Sequence, residues 1–151
     1  MASGGASMIN RLVQQVTSRL KWLPPLVARI TIGEVFIGSG WGKLHHLDKI
    51  VAFFTELGIP APQIQAPFAS AMELICGVLV LLGVFTEIAS VPLIIIMIVA
   101  LITAKKSDIG SFDDLTSQIE YLYIVILIYL GINGAGPIAF DRLFKKSKAR
   151  K

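Results

Sequence analysis

Ile88-Ala-Ser-Val-Pro92-Leu-Ile-Ile-Ile-Met97-Ile-Val-Ala-Leu-Ile-Thr-Ala104 is the stretch that decides the fold, because it runs for seventeen residues without a charge and is largely aliphatic. Crossing about 30 Å of hydrocarbon at 1.5 Å per helical residue takes about 20 mostly apolar residues. The run is short for that task and is the most uniformly apolar in the chain. Three further stretches flank it, at about 23–41, 66–85 and 119–136. Four spans leave the rest of the chain to loops and tails, with no room for a separate soluble domain.

Composition supports this reading. Of 151 residues, 54% are apolar and 16% charged, and the mean hydropathy is +0.72. Ordinary soluble domains carry about 25% charged residues. Disorder needs low hydrophobicity and high charge, so it is excluded. A disulfide scaffold is excluded because Cys76 is the only cysteine. A soluble domain could not hide this much apolar surface. The span at 23–41 is longer than a signal h-region and carries Arg29 and Glu34, so it reads as a retained helix rather than a cleaved leader.

Four spans put both termini on one side. That side carries Arg11, Arg19, Lys21, Arg142, Lys145, Lys146, Lys148, Arg150 and Lys151, nine basic residues against Lys43, Lys49, Lys105 and Lys106 opposite. The positive-inside rule places both termini in the cytoplasm. The chain divides into a cytoplasmic N-terminal segment at 1–22, a four-span membrane domain at 23–141 and a basic cytoplasmic tail at 142–151. Beside a bilayer such a tail meets anionic headgroups, so nucleic acid is not an expected partner. In the first outer loop, Leu44, Leu47, Val51, Phe54 and Leu57 recur at three- and four-residue steps. That pattern predicts a short amphipathic interfacial helix ending at Gly58, with Pro60 and Pro62 preventing its resumption. The second outer loop, with Asp108, Asp113 and Asp114, reads as polar and solvated.

Charges inside hydrocarbon cost several kcal/mol each and need a partner or a use. Three stand well inside the spans: Arg29, Glu34 and Glu73. On the first span Arg29, Gly33, Phe36, Gly40 and Lys43 share one face, and Glu34, Gly38, Trp41 and His45 share another. The glycines allow other helices to approach, so this span reads as surrounded by protein. Glu34 and Glu73 fall at similar depth, ~10 Å from the outer surface. Face to face they would share a proton. Lys43 and Glu120 are level near the outer end and form a candidate pair. Arg29, Glu34 and Glu73 form the candidate polar site, open to two readings: a cavity for protons or a headgroup such as a quinone ring, or an ion-pair network that fixes helix register. No metal site is expected, since His45 and His46 point apart on a helix and lack a third ligand. Cys76 reads as a small packing residue. Trp41, Tyr121 and Tyr123 read as an interfacial aromatic belt.

Leu26-Val-Ala-Arg29-Ile-Thr-Ile-Gly33-Glu-Val-Phe36-Ile-Gly-Ser-Gly40-Trp-Gly-Lys43-Leu44 resembles the Arg-x(3)-Gly-x(2)-Phe-x(3)-Gly-x(2)-Lys-Leu pattern of the DoxX family of small bacterial membrane proteins. Phe53 to Pro62 is similar to that family's loop, Glu73 to Gly83 to its second span, and Gly134-Ala-Gly136-Pro137 through Asp141 to its final turn. Glu87 stands where the pattern usually has an Arg, and Glu34 is not a position of the pattern. Arg29, Lys43 and Glu73 match it. The resemblance implies a bacterial inner-membrane protein serving as an accessory subunit of a membrane-associated, quinone-linked oxidoreductase complex rather than a stand-alone enzyme. A quinone is the ligand it admits, with no covalently bound cofactor. Oxidoreductase proteins, a second copy and the bilayer are the partners it admits. A small proton-coupled carrier and a structural or assembly protein without a ligand are the alternatives. The fold expected is an all-α four-helix bundle with an interfacial helix after the first span.

Overall fold

The computed structural model describes residues 3–140, with side chains from Asn10 onward except Leu12. Over these residues the chain is all helical: α1 Ser3–Leu20, α2 Leu23–His45, α3 Leu47–Glu56, α4 Pro62–Leu82, α5 Thr86–Thr103, α6 Phe112–Ser117 and α7 Ile119–Asn133, with a 3₁₀ turn at Lys106–Asp108. Asp141 and the basic tail at 142–151 lie outside the described residues.

The boundaries follow from local chemistry. Helix α2 opens with Pro24 and Pro25 in its first turn, where no intrahelical N–H bond is owed. Helix α4 starts at Pro62 and ends at Gly83, whose φ of 71° suits glycine. Helix α3 lies where the loop periodicity predicts, and the left-handed Gly58 (φ 69°) follows it. Three elements go beyond the sequence-based expectation. The N-terminal segment forms α1, and the polar outer loop folds into the 3₁₀ turn and α6. Ser111 starts α6 because its Oγ accepts the Asp114 N–H at 3.3 Å while its hydroxyl donates to Asp114 Oδ2 at 2.8 Å. This is the reciprocal logic of a capping box.

Four long helices pack in sequence around the core: α2 along α4, α4 on α5, α5 along α7, and α7 back on α2. Ile32, Phe36, Cys76, Val80, Leu93, Leu127 and Leu130 fill the interior. Cys76 is buried among these apolar side chains, as its packing reading expects. Helices α2 and α4 are in backbone contact. A Cβ at Gly40 would lie 2.5 Å from Leu74 N, and one at Gly77 2.9 Å from Ile37 N.

The outward faces are apolar as well. Ile88, Val91, Ile95, Ile98 and Ile102 form an exposed stripe on α5, and Ile119, Leu122, Val125, Ile128 and Ile132 form one on α7. In water this would be an unmanageable surface, whereas hydrocarbon wets it at no cost. By length and composition α4 and α5 can each cross a membrane. Helix α7 is apolar but has 15 residues, and the 23-residue α2 carries Arg29, Glu34 and Lys43. Tyr123 departs from the expected belt: it turns inward, its ring 6.0 Å from that of Phe36.

Candidate functional site

Ser39 and Lys43 stand one turn apart on α2, on the side that meets α4. Glu73, on α4, is 1% exposed. The Lys43 ammonium donates to Glu73 Oε1 at 2.6 Å and to Oε2 at 2.8 Å, and the Ser39 hydroxyl donates to Oε2 at 2.8 Å. Three hydrogen bonds from two side chains thus converge on one buried carboxylate. An unpaired carboxylate in that place would be costly, so this pair is what allows Glu73 to be buried and charged. The contact at Gly40 and Gly77 brings α2 close enough for Lys43 to reach.

The pair is part of the lining of a cavity of about 300 Å³. Phe53, Phe54 and Leu57 of α3 form one wall, Phe68 and Ala69 of α4 a second, and Ile96, Val99 and Ala100 of α5 a third. The other hydroxyls in the lining are spent on their own helices: Ser70 donates to the Ala66 carbonyl at 2.7 Å and Thr103 to Val99 at 2.6 Å. The Gln65 amide donates to the Pro60 carbonyl at 2.7 Å. An ammonium has three protons. Two of those on Lys43 go to Glu73, and with its side chain one-third exposed the third is left for the cavity.

The polar residues singled out in the sequence are not brought together as expected. Glu34 does not face Glu73. It is exposed, on the outward side of α2 with Trp41, and a Cβ at neighbouring Gly38 would meet nothing within 4 Å. Helix α4 lies along the stripe of Gly33, Phe36 and Gly40, and position 34 points about 100° away from it. The first long helix is therefore packed on one side only, not surrounded. Lys43 pairs with Glu73 rather than Glu120, because α2 lies along α4 and touches α7 more lightly. Glu120 keeps one buried oxygen, Oε2, without a hydrogen bond.

Arg29 sits ten to fourteen residues further toward the start of α2, some 15–20 Å from Ser39 and Lys43 at 1.5 Å per residue. It is 5% exposed and donates from Nη1 to the Ala135 carbonyl at 3.3 Å. Gly83 leaves the space the guanidinium fills, since a Cβ there would collide with Nη1. Arg29 thus stands where α4 and α7 both end, and the carbonyl ends of helices favour a cation. It does not line the cavity beside Lys43 and Glu73, and its Nε is buried without a hydrogen-bond partner among the described residues. Lys43 was recognisable as a partner for Glu73. It shares a stripe with Arg29, Gly33, Phe36 and Gly40, and all four of those are buried.

Residues 25–106 match the family model described as DoxX. The chain is 32% identical over 136 residues to "Uncharacterized membrane protein Rv3486" of Mycobacterium tuberculosis, covering 82% of this chain and 83% of that one. It is 30% identical over 125 residues to "Putative oxidoreductase CatD" of Bacillus subtilis, covering 82% and 88%. It is 31% identical over 128 residues to "Inner membrane protein YphA" of Escherichia coli, covering 78% and 87%. No solved structure matches the chain.

Proposed function

The chain belongs to the DoxX family and is a membrane protein, and from that premise we propose that it is an accessory subunit of a quinone-linked oxidoreductase complex in the bacterial inner membrane. In this reading α2, α4, α5 and α7 are the four spans of one bundle, both termini are cytoplasmic, and the cavity beside Lys43 and Glu73 holds a quinone head.

The observation that carries the ligand is the one remaining Lys43 proton in the lining of an apolar cavity. A ligand there needs an oxygen acceptor at one end and a hydrocarbon body. The Glu73 carboxylate beside it disfavours an anionic head, while a neutral carbonyl can take the Lys43 N–H without that repulsion. The volume of about 300 Å³ is at the small end for ligand sites, suited to a ring whose tail leaves between helices. Phe68, Ile95 and Val99 line the cavity and are exposed on the outward surface, which gives such a tail a lateral route into lipid. The Bacillus subtilis relative's name supports the redox context.

The test is purification of the full chain from membranes in mild detergent, followed by native mass spectrometry. The proposal expects a bound quinone and an oxidoreductase partner. A ligand-free homo-oligomer would count against both parts. Solute uptake in vesicles carrying the chain alone would favour the carrier.

A further inference from the structure

Helix α1 has a use that the cavity does not explain. At 100° per residue, positions 9, 12, 13, 16 and 20 of α1, all apolar, fall within an arc of about 100°. Arg11, Gln14, Gln15 and Ser18 lie outside it, and Arg19 stands at its edge. Val13 and Val16 are each 56% exposed and Leu20 44%. Off that arc, the Thr17 hydroxyl donates back to the Val13 carbonyl at 2.7 Å and that of Ser18 to Gln15 at 2.8 Å, which leaves Arg11, Gln14 and Gln15 among the outward polar groups. The first 22 residues contain Arg11, Arg19 and Lys21 and no acidic residue.

We propose that α1 is a membrane-surface helix that binds anionic phospholipid headgroups, its Val13–Val16–Leu20 side in the acyl boundary and its basic residues at the phosphates. Charge complementarity selects this occupant: three cations without one carboxylate match an anionic surface. Continuity supports it as well. Helix α2 begins three residues after Leu20, so α1 is held where α2 enters the bilayer, with Trp22 at the junction. An amphipathic helix with basic edges gains from apolar burial and from headgroup attraction together. The inference is independent of the quinone reading and stands if that reading fails.

The experiment uses the full chain, with Cys76→Ala removing the buried thiol, in nanodiscs of phosphatidylcholine with or without phosphatidylglycerol. An environment-sensitive fluorophore is placed at Val16→Cys or Gln15→Cys, and quenching by lipids brominated near the headgroup is read. The expected result is a blue-shifted, strongly quenched label at 16 and a water-like label at 15. Quenching should be stronger with phosphatidylglycerol, and that gain should vanish when Arg11, Arg19 and Lys21 are all replaced by Gln. A water-like label at 16 in anionic discs overturns the proposal. So does equal quenching at 15 and 16. Quenching at 16 that ignores both lipid charge and the triple substitution overturns the headgroup recognition. Shielding at 16 that appears only with two chains per disc assigns the face to a second copy instead.

Discussion

Glu73 can be buried because Lys43 and Ser39 reach it, and that dependence sets the first prediction. Lys43→Met strands a buried carboxylate and should destabilise the fold by ~3 kcal/mol, the lower end of the cost of breaking a buried pair, since Lys43 is partly exposed. Adding Glu73→Leu removes the stranded charge and should recover most of that loss. Unfolding titrations in mixed detergent micelles read both, and a double variant no better than Lys43→Met would contradict the assignment. Glu34→Leu should leave the unfolding midpoint unchanged or raised, because Glu34 is exposed on the outward side of α2 with no ion pair among the described residues. Residue counting along the helices places Glu34 level with Glu73, but the α2–α4 register sets Gly33 against Leu81 and Gly40 against Leu74, so Glu73 is level with Ser39 and Lys43 instead. Nor could counting establish which faces meet, because that depends on how α2 lies against α4. Glu34 and Glu73 stand near the middles of α2 and α4 and Lys43 near the end of α2. About half a turn of azimuth, nine residues at 100° each, separates the lysine that reaches buried Glu73 from the outward-facing Glu34.

Elements differ in how openly the sequence declares them. The long helices are marked by apolar runs punctuated by Pro24, Pro62, Gly83 and Gly134, and the structure places them within a few residues of that reading. Helix α3 is declared by its three- and four-residue periodicity. Helix α1 escaped because its apolar positions are separated by Gln, Thr and Ser, and α6 because six residues carry too little pattern beyond the Ser111–Asp114 cap. The α2–α4 contact gives a sharp contrast within one turn. Gly40→Val should destabilise severely, by more than about 4 kcal/mol, because its Cβ meets the α4 backbone and neither helix can yield. Gly38→Ala should stabilise by up to ~1 kcal/mol through helix propensity alone, as nothing lies near it. The same unfolding titration checks the pair. At the start of α6, the Ser111 hydroxyl and then the Gly110 N–H hold the Asp114 carboxyl below the usual carboxylate range. A depressed carboxylate stabilises the cap above its unfolded-state pKa, and that contribution is lost as pH falls through the folded value. Carboxyl carbon NMR titration should find Asp114 depressed and Ser111→Ala restoring it upward; an unchanged titration in Ser111→Ala would contradict the cap.

At the scale of the whole molecule, the chain is apolar inside and out, and its few charges are placed by function or by geometry. Arg29 gathers the ends of α4 and α7, Lys43 and Glu73 join α2 to α4, and Arg11, Arg19 and Lys21 lie on and just after the amphipathic α1. The proposed arrangement, four spans with cytoplasmic termini, predicts that a reporter fused after Lys151 is active in the cytoplasm and silent in the periplasm; the reverse would overturn the orientation. The central claim is that the spare Lys43 proton holds a neutral acceptor in the apolar cavity. A short-tailed quinone titrated into the full chain in nanodiscs, followed by fluorescence quenching of the native tryptophans, tests it most directly. Wild-type chain should bind saturably, Lys43→Arg should keep that binding, and the refolded Lys43→Met/Glu73→Leu pair should bind about tenfold more weakly, the loss of one charge-assisted hydrogen bond. Absence of saturable binding to the wild type, or equal affinity in the paired variant, would contradict it.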